Sequence, residues 1–192
     1  MKIGFPSVLL TLSLALLAGC AWVPQKVTIA PQLQNPTSQF GHGAKIVVAV
    51  RDIRPTQQIG YRGLDSKGAE ITTDQDLASI FQKKIIEGLT QQGFLAVPSS
   101  DEPARALKVE IRSLEYKTEM EFWKGTVRAR AALHANSKAE GAAYDQLYTA
   151  ERQEPAVEAP RAKTNEQLIN GAISDVLQKL LADPRLLKFL AN

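Results

Sequence analysis

The sequence predicts an α+β domain: a mainly antiparallel sheet with two long helices packed on one face, preceded by a signal peptide and a flexible tether. Three patterns carry that prediction. Apolar residues recur at helical spacing over Asp74–Gln92 and again after Thr164, period-two alternation runs through Leu107–Arg152, and a short apolar leader ends at the only cysteine, Cys20. Helices set apart from a strand-rich middle fit an α+β layout better than strict strand–helix repeats.

The leader comes first in the chain. Lys2 supplies a minimal positive region, and the apolar run from Phe5 to Ala18 falls short of the ~20 residues a spanning helix needs. It ends in Leu17-Ala18-Gly19-Cys20, with small residues in the two positions before the lone thiol, which is the pattern of a lipobox. The expectation is removal of residues 1–19, a diacylglyceryl group on Cys20 and an acylated new amino terminus, so that the membrane is a partner through those chains. An uncleaved anchor and a chance cysteine are the competing readings. Against an anchor, Pro24 follows where a stop-transfer segment would place a basic cluster. A single cysteine also excludes a disulfide framework, so the body must fold on its core alone.

Composition narrows the class of function. Of 23 Lys and Arg only Lys2 lies in the leader, and 20 Asp and Glu nearly balance the rest. No basic run or aromatic-basic repeat marks a nucleic-acid binder. The aromatic share of 6% disfavours a carbohydrate-stacking surface.

Residues 20–44 read as lipidated cysteine plus tether, rich in Pro and Gln (Pro24, Pro31, Pro36, Gln25, Gln32, Gln34) and closing at Gly41-His42-Gly43. A flexible chain of that length has an end-to-end distance of about 25 Å. Within it Val27-Thr28-Ile29 alternates like an edge strand able to dock on the sheet. Residues 45–192 form the single domain. Lys45–Asp52 is a continuous β-branched run, expected to be buried on both faces. A turn-rich stretch to Thr73 holds a small hairpin between Ile59-Gly60-Tyr61 and Ala69-Glu70-Ile71.

The first helix follows, with Leu77, Ile80, Phe81, Ile85 and Leu89 on one face and Thr73 as its expected cap. Gly93 suits the left-handed residue past its end, with Phe94 placed to contact Leu89 in a Schellman motif. Next comes a meander. Leu107–Arg112 alternates, parity shifts at Leu114 and Tyr116 to suggest a bulge near Ser113, and Val127, Ala129, Ala131, Leu133 and Ala135 face inward. A turn at Lys138–Gly141 returns the chain through Arg152. Thr164-Asn165-Glu166-Gln167 is a capping-box pattern opening the second helix, and Asp183-Pro184 restarts a last helical turn.

Several of these stretches together resemble the YajG family of bacterial lipoproteins: the lipobox, Val50-Arg51-Asp52-Ile53-Arg54-Pro55, Ile59-Gly60-Tyr61-Arg62, Ile71-Thr72-Thr73 and Gly93-Phe94. The resemblance spans most of the mature chain and implies a location and a fold rather than a mechanism. More distantly, the layout is similar to LptE-like lipoproteins and to the auxiliary lipoproteins of lipid-exporting ABC systems. Lipoproteins of this kind move to the outer membrane unless an avoidance residue, most often Asp, follows the cysteine. Here Ala21 follows it, so the resemblance implies an outer-membrane protein facing the periplasm.

Searching for chemistry returns no nucleophile elbow, zincin helix or phosphate loop. The two histidines, His42 and His134, lie far apart in sequence, and no free cysteine remains for a zinc site. The expectation is a non-catalytic protein with no cofactor and no metal. Three features are candidate contact sites for another envelope protein. Asp52 with Arg54 sits at the end of the first long strand, where the plainer reading is a local ion pair. Phe122 and Trp123 lie at a hairpin tip, where they either dock a partner or fold back on the sheet edge. Arg128 with Arg130 lies on the wet sheet face, where the plainer reading is a solvated strand. The expected role is a binding or accessory component of an outer-membrane assembly. A lipid or glycan carrier is the alternative, and a hydrolase the less favoured one.

Overall fold

The structure, a computed structural model, describes residues 23–34, 39–63, 68–101, 104–121, 124–139, 141–156 and 160–192. Cys20, Phe122 and Trp123 lie outside the described residues. Eight strands form one sheet: β1 Gln25–Lys26, β2 Lys45–Asp52, β3 Gly60–Tyr61, β4 Glu70–Thr72, β5 Leu95–Val97, β6 Arg105–Glu121, β7 Lys124–Ala139 and β8 Ala142–Ala156. Among the described residues three helices accompany it, α1 Leu77–Gln91, α2 Ala162–Leu181 and α3 Pro184–Ala191. The α+β class holds, with helices of 15, 20 and 8 residues among the described residues, the last at the expected Asp183-Pro184 turn.

The sheet is mixed rather than mainly antiparallel. Strand β2 is parallel to both its neighbours, β5 and β6, while β1 runs parallel to β4 and β3 parallel to β6. Antiparallel pairing holds in the β3–β4 hairpin and in the long β6–β7–β8 meander. The parallel part follows from chain economy. Helix α1 carries the chain from the end of β2 back to its start, and β5 is only three residues long, so a short connection suffices to cross β2 and start β6 on its other side.

Burial separates the two faces. Ile46 and Val48 of β2 are fully buried while Val47 and Ala49 are half-buried, which corrects the expectation of a strand buried on both sides. On β7, Val127, Ala129, Ala131, Leu133 and Ala135 point into the core, as their alternation predicts. Helix α2 packs across β6, β7 and β8 and α1 across β2 and β5, the two helices meeting one another at their C-terminal ends. The parity shift near Ser113 is a real bulge, with the β6–β7 register slipping between Ile111 and Ser113.

Helix ends show where local signals win and where they do not. Asp76, not Thr73, caps α1, accepting from Ser79 N at 3.2 Å, while Thr73 Oγ1 accepts from Gln75 N just upstream. Helix α2 begins at Ala162, ahead of the expected capping box, with Arg161 at the N-cap position and no side-chain cap bond. Thr164 and Gln167, the two residues that would close the box, fall inside the helix rather than at its start. At the far end of α1 the Schellman pair forms as predicted: Phe94 N donates to Leu89 O at 3.2 Å and Gly93 N to Thr90 O at 3.0 Å, with Gly93 at φ +84°. Gly93→Val is therefore expected to lower stability by about 1 kcal/mol or more, because a β-branched residue is strained at positive φ. A thermal melt unchanged within error would overturn that assignment.

The stretch read as a free tether is held down over Gln25–Gln34. Beyond β1 the chain runs extended along α2, and alternate backbone N–H groups donate to side chains four residues apart on the helix. Thr28 N reaches Glu166 Oε2 (2.8 Å), Ala30 N reaches Asn170 Oδ1 (2.7 Å), Gln32 N reaches Ser174 Oγ (3.0 Å) and Gln34 N reaches Gln178 Oε1 (3.2 Å). The match is geometric: two extended residues advance about 6.6 Å and four helical residues about 6 Å. Val27, Ile29 and Pro31 face the other way and are buried. Val27-Thr28-Ile29 does dock, between the edge strand β4, where Val27 N donates to Thr72 O at 2.8 Å, and the polar stripe of α2, where Thr28 N reaches Glu166.

Candidate functional site

A register mismatch opens an apolar hollow beside β6. Asp52 pairs with Ile111 and Gly60 with Tyr116, so the chain from β2 to β3 spends eight residues where β6 spends five. The surplus bows outward. Between the bowed segment and β6 lies a cleft of about 640 Å³, lined by Arg54, Pro55, Gln58, Ile59 and Tyr61 on one side and by Arg112–Glu119 on the other. Gly60 pins its closed end, since a Cβ there would stand 2.1 Å from Tyr116 O. Only glycine permits that approach.

The lining combines apolar surface with a few polar groups. Ile59, Leu114 and Tyr116 are buried at its base. The Tyr116 hydroxyl donates to Asn165 Oδ1 at 2.7 Å, Asn165 Nδ2 to Gln25 Oε1 at 3.0 Å, and Gln25 Nε2 to Ala162 O at 2.7 Å. That chain of bonds ties the cleft's floor to α2 and β1. Burial pushes the Tyr116 phenol well above its ordinary range, so it stays a neutral donor. At the rim, Glu115 and Lys117 pair at 2.7 Å and Arg112 pairs with Glu110 at 2.8 Å.

Arg54 is the sharpest feature. Its guanidinium clasps Asp52 through Nε (2.9 and 3.1 Å) and Nη2 (2.7 Å), yet the side chain is only 5% exposed. The plain ion-pair reading of Asp52 and Arg54 is thus met, with something left over. Nη1 of Arg54 is buried and has no acceptor among the described residues, and neither has Nε2 of Gln58 on the same wall. Two buried donors without partners are costly, and both line one cleft. Arg54, Pro55 and Thr56 also form one wall of a second, more polar hollow of about 650 Å³ against Thr73–Leu77. Sequence reasoning found Arg54 but missed Gln58, Tyr61 and Lys117. The available signals were the Ile59-Gly60-Tyr61 run after a polar turn and the parity shift at Ser113, which together mark where two strands part.

The other candidates lie apart from this cleft. Arg128 sits on the outer sheet face between Glu119 (3.0 Å) and Glu151 (3.0 Å), with Gln153 at 3.4 Å, and Arg130 is exposed on the same strand. His134 belongs to the same face, between Glu110 (3.4 Å) and Asp145 (2.9 Å). Alternating charges over β6, β7 and β8 make this a solvated, self-paired surface. No group of three or more His, Cys, Asp or Glu among the described residues is arranged to hold a metal ion. Nor does His or Cys line either hollow.

Comparison with known proteins adds a family. A family model described as uncharacterized lipoprotein matches residues 31–191. No curated protein matches the chain. Among solved structures it is similar to the hypothetical protein CT253 of Chlamydia trachomatis, at 10% identity over 78% of this chain and 96% of that one, with a TM-score of 0.38. It is also similar to PelC, solved as a dodecamer, from Paraburkholderia phytofirmans (14%, 81% and 97%, TM-score 0.35) and to lipoprotein GNA1162 of Neisseria meningitidis (13%, 73% and 99%, TM-score 0.25). With scores this low, none of the three bears on what the cleft does. No helix among the described residues is long and apolar enough to cross a membrane.

Proposed function

We propose, because the chain belongs to the uncharacterized lipoprotein family, that it is an envelope protein anchored through acyl groups on Cys20, facing the periplasm from the outer membrane and working by binding rather than catalysis. The family match supports the anchor, and Ala21 after the cysteine supports export to the outer membrane. Within the family, the short motifs around Asp52–Pro55 and Ile59–Arg62 favour the YajG branch. The binding element is the cleft, and the observation that carries it is the pair of buried, unpartnered donors on Arg54 and Gln58. The occupant is a segment of another envelope protein that brings carbonyl or carboxylate oxygens to those donors and an apolar side chain to the hollow. In that role the protein is an accessory component of an outer-membrane assembly.

The test uses a photo-crosslinking residue placed in intact cells at Thr56 or Lys117, on the cleft, and at Lys138, on the distant β7–β8 turn. Crosslinks are expected from the first two positions only. Gln58→Leu removes an unpaired donor, so its melting temperature should hold or rise while crosslink yield at Thr56 falls by about tenfold, the value of one buried hydrogen bond. Equal yields at all three positions, or a yield indifferent to Gln58→Leu, would overturn the proposal. The cleft's size also falls in the range of small-molecule sites, which favours a lipid or glycan carrier as second reading. Native mass spectrometry of the gently extracted protein distinguishes the two, since a carrier retains a bound lipid or glycan mass.

A further inference from the structure

We infer that the protein presents one defined end to the membrane: the end where the chain emerges at Val23, beside Arg62 and the uncapped start of α2, lies against phospholipid head groups. The inference rests on lipidation at Cys20, as proposed above, and concerns what the docked segment does to that anchor. From Gln25 onward the chain is fixed, by β1 pairing with β4, by the buried Gln25 amide and by the run of bonds to α2. Even Val23 is held, its carbonyl accepting from Arg62 Nη1 at 3.2 Å. Between Cys20 and Val23 stand only Ala21 and Trp22. Three residues of extended chain reach about 10 Å. A free tether would let the body tumble below the bilayer, whereas this short one holds Val23 within head-group distance.

Strand register gives the direction. Gln25 pairs with Ile71, Ile71 with Gly60, and Gly60 with Tyr116, so all four share one level of the sheet. Strand β1 is parallel to β4, which is antiparallel to β3, which is parallel to β6. Running back along β1 from Lys26 to Gln25, toward Val23, therefore follows the direction of β6 from Tyr116 forward to Glu121. The side from which the chain leaves toward its anchor is thus the side of the far end of the β6–β7 ladder, and it is the side set against the bilayer surface.

The chemistry at this end suits anionic phosphate. Helix α2 starts here, since Gln25 Nε2 donates to Ala162 O, and its first turn has no side-chain cap and no acidic residue. Arg161 and Lys163 are exposed beside those open N–H groups, and Val23 is 58% exposed. A positive helix end, two cations and an apolar contact complement a head-group layer. At the opposite end, β5 carries exposed Leu95 at the level where β2 begins.

Because Cys20 is the only cysteine and lipidation consumes its thiol, an introduced cysteine is the sole free thiol. The protein, matured in cells and purified as Arg161→Cys or Leu95→Cys, is labelled with a fluorophore and reconstituted in phosphatidylethanolamine–phosphatidylglycerol vesicles containing a head-group spin-labelled lipid. Quenching is expected to be several-fold stronger at position 161 than at 95. Inserting about 15 Gly/Ser residues after Ala21, an r.m.s. reach of about 20 Å, should erase the difference. Equal quenching at both positions, or stronger quenching at 95, in protein whose acyl groups are confirmed by mass spectrometry overturns this orientation while leaving the anchor intact. Protein matured in the same way and found without acyl groups overturns the anchor, and the orientation with it.

Discussion

Cys20→Ser should leave the chain as a full-length precursor without diacylglyceryl, missing from the outer-membrane fraction. The lipid-transfer step forms a thioether at sulfur, and the nucleophile is the thiolate, whose parent thiol ionises near pH 8.5. A serine hydroxyl does not ionise in that range and cannot replace it. Anchoring is correspondingly all or none. Each buried methylene contributes about 0.8 kcal/mol, a single chain binds only marginally, and two or more hold a protein stably, so loss of the diacylglyceryl group and the coupled acylation removes the acyl anchor and leaves only the uncleaved apolar leader. The fold should survive, because the contacts that dock the segment among the described residues, from Val23 onward, do not involve the thiol. The measurements are intact mass, membrane fractionation and a thermal melt. A variant that still carries diacylglyceryl and is cut before position 20 would show that the leader is not a lipoprotein signal.

Which parts of the fold could be read in advance depended on how far apart the partners lie. The inward face of β7, the Schellman end of α1 and the Asp183-Pro184 start of α3 are local, set by residues within a few positions of one another, and the structure bears them out. The two parallel neighbours of β2 come from segments some fifty residues downstream, and its β-branched run reads equally well against parallel or antiparallel partners. For the segment along α2, half of the signal was visible. Val27, Ile29, Pro31 and Leu33 alternate, but the matching stripe of Glu166, Asn170, Ser174 and Gln178 gains meaning only once the two segments are side by side. The earlier start of α2 has the same distant origin: Gln25 Nε2 donates to Ala162 O and Asn165 Nδ2 to Gln25 Oε1, so the docked segment holds a first turn that begins ahead of Thr164. The cleft was the least legible feature. It is made of an absence of pairing, a difference in residue count between two strands, and no side chain announces it.

Asp183→Ala should destabilise the body far more than a surface substitution does. Asp183 is 8% exposed and caps α3, with Oδ1 accepting from Arg185 N at 2.9 Å. Its Oδ2 accepts from the Tyr144 and Tyr148 hydroxyls at 2.8 and 2.9 Å, and those two hydroxyls also contact each other. One carboxylate therefore fastens α3 to the far edge strand, β8, and with it the buried Leu186, Leu187 and Leu190. Truncation removes the cap, about 1 kcal/mol, and leaves the Tyr144–Tyr148 hydroxyl pair short of one acceptor, about 1 kcal/mol or more, roughly 2 kcal/mol together. Asp183→Asn keeps the capping oxygen and turns the other oxygen into an NH2 donor that a tyrosine hydroxyl can accept, so it should cost about a third of that. Protonation supplies an independent check. Burial alone would raise the Asp183 carboxyl, but donors from Arg185, Tyr144 and Tyr148 outweigh it and hold the group well below the ordinary value of 3.8. Burial also pushes the Tyr144 phenol up to about 12, so the hydroxyl remains a donor across the working range. A depressed folded-state value means that the charge stabilises the fold above pH 3.8 and that this contribution fades as pH falls below it toward the folded-state value. Melts of the parent and Asp183→Asn should accordingly differ at pH 7 and draw together at pH 3. A gap that is unchanged or wider at pH 3 would mean that the carboxylate charge does not hold α3 in place.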